Sequence, residues 1–99
     1  MRPVLHGDVV AAARVLYPLS ARWRGAELAR LLQRAGWADA FRRSTGRAHP
    51  FWGDGSLMTA ALACAPPPEP MLDDADYCSC LEMVFEALVS WNSPRGRAS

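Results

Sequence analysis

Apolar side chains recur at Tyr77, Leu81, Val84, Leu88 and Trp91, in steps of four, three, four and three. That spacing keeps one face of an α-helix apolar along its whole length, whereas a strand would require alternation. Phe85 is expected to widen this seam. Asp73, Asp74 and Asp76 crowd the start of the helix, where its dipole favours negative charge. Ser93-Pro94 ends it, because a proline ring clashes with the preceding turn. No convincing alternating segment occurs elsewhere in the chain, so the expected fold class is all-α.

The remaining segments repeat the helical pattern between glycine and proline breaks. Asp8 is expected to cap a first helix that buries Val9, Ala12, Ala13 and Leu16 and stops at Pro18. Ser20 caps a second, with Leu28, Leu31, Leu32 and Ala35 on its apolar side and Gly36 as its stop. Trp37 to Ser44 reads as a short third helix burying Trp37, Ala40 and Phe41. Alternatively, the second and third form one longer helix bent at Gly36. Gly46, Pro50, Gly53 and Gly55 mark a loop. Ser56, or Asp54 before it, caps a fourth helix through Leu57, Met58, Ala61, Leu62 and Ala65. Pro66-Pro67-Pro68-Glu69-Pro70 is an extended strap. The expectation is a compact single-domain bundle of about five helices with a Gly/Pro-rich central loop, over residues 1–92. The last helix is expected to be its central packing element, and residues 93–99 a disordered tail.

Composition narrows the function classes. With 51% hydrophobic and 21% charged residues the 99-residue chain is globular, and a net charge of +1 creates no field that would select a partner. The longest apolar stretch, Leu57 to Ala65, falls well short of the roughly 20 residues a membrane helix needs. The three cysteines, Cys64, Cys78 and Cys80, are an odd number and no disulfide framework. The opening residues are unlike a signal peptide. A reducing cytoplasm with free, mostly buried thiols is therefore expected. Every basic residue is arginine, and lysine and isoleucine are absent. This points to a GC-rich bacterial genome and makes the number of arginines uninformative; only their placement carries meaning.

Three segments resemble a family of short alphaproteobacterial proteins of unknown function. They are Arg2-Pro3-Val4-Leu5-His6-Gly7-Asp8-Val9-Val10-Ala11-Ala12-Ala13-Arg14, then Thr45-Gly46-Arg47-Ala48-His49-Pro50-Phe51-Trp52-Gly53-Asp54-Gly55-Ser56-Leu57-Met58, and Pro67-Pro68-Glu69-Pro70 with Tyr77 and Cys80-Leu81. The resemblance extends to about Leu88, and its central segment is the most specific. It implies a bacterial, cytoplasmic protein and brings no activity or catalytic residue.

The candidate binding residues are Arg42, Arg43, Arg47, His49, Phe51, Trp52 and Asp54. Guanidinium groups grip phosphates and aromatic faces stack on bases, so a nucleic-acid or phosphorylated-ligand contact is one reading. The structural alternative is that Phe51 and Trp52 anchor the loop in the core while Arg42 and Arg43 form a solvated face. Asp54 then caps a helix or pairs with Arg47. Cys78 and Cys80, two apart on a helix, project about 200° apart and cannot easily share a metal. Glu82 and Glu86 share a helix face, but the Glu-x-x-His pattern of carboxylate di-metal bundles is missing. No nucleophile elbow, phosphate loop, dinucleotide fingerprint or calcium loop occurs. His6, His49 and Asp54 are the only set to watch for acid–base work. The expected role is therefore a protein–protein interaction or adaptor module, binding another protein or itself, without catalysis, cofactor or metal. Four tryptophans and four methionines are many for so small a core to cover.

Overall fold

The computed structural model describes residues 1–92 as four helices with no strand among them. They are α1 (His6–Leu16), α2 (Ala21–Thr45), α3 (Leu57–Leu62) and α4 (Ala75–Asn92). The tail expected over residues 93–99 lies outside the described residues.

α1 begins two residues before Asp8, which sits in the first turn and not at the N-cap position. The Asp8 carboxylate reaches back to accept the Leu5 N–H at 2.7 Å. This is the return half of a capping box; Leu5 has no side-chain acceptor to supply the other half. Val9, Ala12, Ala13 and Leu16 are buried as expected. The small alanines let neighbouring elements approach closely, and α1 packs against α2, α3 and α4. It is thus α1, and not the longer α4, that forms the hub of the core.

The expected count of five helices falls to four, because α2 runs unbroken through Gly36 to Thr45. Glycine inside a helix costs about 1 kcal/mol relative to alanine. Burial outweighs that cost: Leu28, Leu31, Leu32, Ala35, Ala38 and Asp39 are sheltered on one side. The expected burial of Trp37 and Ala40 is consequently wrong, since both lie on the outward side of the continuous helix. α2 ends at Gly46, whose φ of 75° gives a left-handed cap, with its N–H on the Arg42 carbonyl at 2.8 Å.

α3 is short, capped by the Ser56 hydroxyl accepting the Thr59 N–H at 3.2 Å. Asp74 caps α4, its carboxylate accepting the N–H groups of Asp76 and Tyr77 at 3.0 and 3.1 Å. Tyr77, Cys80, Val84 and Leu88 face the core, but Phe85 is 50% exposed and does not widen the seam. The proline strap is held by Arg14, which donates to the Pro67 carbonyl at 2.7 Å, and by the Tyr77 hydroxyl, which donates to Glu69 at 2.7 Å. Burial, then the Glu69 contact, raise the Tyr77 phenol above its usual range. Of the three thiols only Cys80 is buried; Cys64 and Cys78 are exposed, against expectation.

Candidate functional site

The segment between α2 and α3 folds back on itself. His49 and Gly53 exchange two backbone hydrogen bonds of 2.7 and 3.1 Å. The His49 Nδ1 atom accepts the N–H groups of Phe51 and Trp52, both at 3.1 Å. An acceptor at Nδ1 places the neutral ring's proton on Nε2. His49 thus shapes the turn, and its Nδ1 lone pair is already used.

Around this turn the rings form one cluster. His49 stacks flat on Trp52, with centroids 4.5 Å apart and planes 5° from parallel. Trp37 leans against Trp52 at 5.4 Å, and Phe41 meets His49 edge-on at 5.0 Å. The Arg34 guanidinium lies 5.9 Å from the Trp52 ring. Phe51 stays 75% exposed and Trp37 51% exposed. Phe51 is therefore no core anchor, whereas Trp52 is half-buried among its neighbours.

The arginines divide into two groups. Arg42 and Arg43 both turn to Asp39, at 3.0 and 2.9 Å, and the Met1 ammonium approaches the same carboxylate at 3.5 Å. Asp39 is only 2% exposed. Burial alone would raise its pKa, but the Arg42 hydrogen bond and the charges of Met1 and Arg43 hold it below the usual carboxylate range. Arg47 is exposed and makes no ion pair among the described residues. Asp54 pairs with Arg2 at 2.9 Å, not with Arg47. It also accepts the Ser56 N–H at 3.0 Å and the Thr59 hydroxyl at 3.1 Å, contacts that lower its pKa. His6 opens α1, and no hydrogen bond or ion pair joins it to His49 or Asp54 among the described residues.

Sequence reasoning missed Arg34, Trp37, Phe41 and Asp39. The first three recur at steps of three and four, a single helix face that becomes visible once α2 is read straight through Gly36. Asp39 left no comparable signal.

Elsewhere, an apolar groove runs between the chain start, α2 and the end of α4, with Met1, Val4, Leu32, Ala87 and Trp91 on its walls and, among the described residues, Arg2 as its only charged side chain. It brings together no acid–base pair. Among the described residues no group of three His, Cys, Asp or Glu side chains is placed to hold a metal ion, and no helix is long and apolar enough to cross a membrane.

The fold and site define a small all-α domain that carries an aromatic and arginine face on α2 and the loop that follows it. Residues 2–88 match the family described as Domain of unknown function (DUF7742), and the chain belongs to that family. No curated protein and no solved structure matches it.

Proposed function

We propose that this domain is a non-catalytic protein-binding module of the bacterial cytoplasm. The Gly- and Pro-containing loop and the adjoining end of α2 present Phe51, Trp52 and Trp37 to a protein partner, with Arg34 and Arg47 at the rim. The observation that supports this reading is the exposure of Phe51 on a turn held by His49, in a ring cluster that also leaves Trp37 of α2 exposed. A rigid aromatic surface edged with arginine has the composition of binding hot spots, because large rings leave water at little entropic cost. The partner surface that fits is apolar and acidic. Absence of catalysis is in keeping with the engagement of His49 Nδ1 and of Asp54 in local hydrogen bonds.

The nucleic-acid alternative draws less support from the geometry. Arg42 and Arg43 are drawn to Asp39, and the Trp52 ring is already stacked on His49. A photoreactive aromatic residue placed at Phe51, with Ala26 of α2 as control position, separates the readings in living cells. The expected result is a protein adduct from position 51 that disappears with Arg47→Glu and does not form from position 26. Adducts that vanish on nuclease treatment, or the same adducts from both positions, overturn the proposal.

A further inference from the structure

The charges of this nearly neutral chain are segregated. From Leu28 to Gly53 it carries Arg30, Arg34, Arg42, Arg43 and Arg47 against Asp39 alone. From Pro68 to Asn92 it carries Glu69, Asp73, Asp74, Asp76, Glu82 and Glu86 and no arginine. Three of those six acids are satisfied internally: Glu69 by Tyr77, Asp74 by Tyr17 and Asp76 by Arg24. Glu82 and Glu86 form no ion pair among the described residues.

Both glutamates share the outward face of α4 with Phe85 and Val89, which are exposed in spite of their size. The steps from Glu82 to Phe85 and from Glu86 to Val89 are three residues each, so acids and apolar groups are neighbours on that face. It is therefore an apolar and acidic surface, the complement of the apolar and basic one around Phe51 and Arg47. The two cannot satisfy each other within one molecule, because α4 packs chiefly on α1 and no ion pair links it to α2 beyond Arg24–Asp76 at the other end.

We propose that the α4 face of one copy docks on the Trp37–Phe51 face of a second copy, head to tail. This inference rests on the protein-binding reading above and names the partner as the chain itself. Different patches meet in such a contact, so it propagates into a ring or an open chain of subunits instead of stopping at a symmetric dimer. Its charged rim makes it weaken as salt rises.

Sedimentation velocity over a concentration series, at low and high salt, tests it with two charge-reversed variants. Arg34→Glu/Arg47→Glu reverses the basic rim without touching the Asp39 cluster, and Glu82→Arg/Glu86→Arg reverses the acidic one. The wild type is expected to exceed monomer mass as concentration rises and to shrink in salt. Each variant alone is expected to associate at least about tenfold more weakly. An equimolar mixture is expected to regain the lost association, because reversed rims match again; that regain also demonstrates that both variants are folded. A wild type that stays monomeric throughout overturns head-to-tail assembly while leaving the Phe51 adduct experiment to judge the protein-binding reading. Association that survives in Arg34→Glu/Arg47→Glu, or a mixture that stays as weak as its parts, also overturns it.

Discussion

The Asp8 carboxylate joins the starts of two helices: one oxygen accepts the Leu5 N–H at 2.7 Å and the other accepts the Met58 N–H at 2.8 Å, fifty residues away. Both donors belong to first turns that have no intrahelical acceptor for them. One buried side chain therefore closes the ends of α1 and α3 and fixes their separation. The loop carrying the aromatic face leads directly into α3, so its position depends on this bond.

Replacement of Asp8 by alanine is expected to lower the unfolding free energy by about 2–3 kcal/mol, the sum of a lost cap and a buried orphan N–H. Asp73→Ala, at an exposed position before α4, is expected to change it by less than about 0.5 kcal/mol. Urea denaturation of both variants measures the difference. Equal stabilities would show that Asp8 is not a shared cap.

Arg24 holds the end of α1 in a similar way. Its Nε donates to the Leu16 carbonyl and one terminal nitrogen to the Tyr17 carbonyl, both at 2.9 Å, while both terminal nitrogens reach Asp76 at 2.8 Å. A planar fork satisfies these acceptors together; an ammonium group does not. Arg24→Ala is expected to cost about 2–4 kcal/mol, and Arg24→Lys to recover less than half of that. Thermal unfolding followed by circular dichroism checks both, and full recovery by lysine would contradict the fork.

Two glycines should respond to alanine in opposite directions. Gly55 has a φ of +96°, and a Cβ there would lie 2.6 Å from the Asp39 Cα. Gly36 lies inside α2 with nothing within 4 Å of an added Cβ. Gly55→Ala is therefore expected to destabilise by about 2 kcal/mol or more, and Gly36→Ala to stabilise by about 0.5–1 kcal/mol. Differential scanning calorimetry gives the signs directly.

Stability should fall at both ends of the pH scale. Asp39, Asp54, Asp74 and Asp76 have folded pKa values below their ordinary ones. Their contribution is complete above the unfolded value of about 4 and fades as pH drops through the folded values. Tyr17, through its hydrogen bond to Asp74, and Tyr77, through burial and then Glu69, are raised instead. Their contribution is complete below about pH 10 and fades as pH rises beyond it. Denaturation midpoints across pH would show a plateau between these limits. Tyr77→Phe should flatten the alkaline fall while leaving the acid one in place.

Local periodicity and local hydrogen bonding account for what was legible in the chain. The helical class, the seam of Tyr77, Val84 and Leu88, and the cap at Ser56 all depend on residues within a few positions of one another. The elements of the candidate face were partly legible too: His49, Phe51 and Trp52 do meet, but Arg42 and Arg43 do not join them as free cations. Their destination is Asp39, a buried carboxylate whose backbone lies close against Gly55.

By itself, then, the sequence determined that the chain folds into helices, because a repeat of three and four residues fits only that backbone. The tertiary structure decided that α2 survives Gly36, that α1 is the hub, and that Trp37 and Phe85 face water. Those outcomes turn on which apolar stripe gains the most shelter, and shelter is supplied by segments tens of residues away.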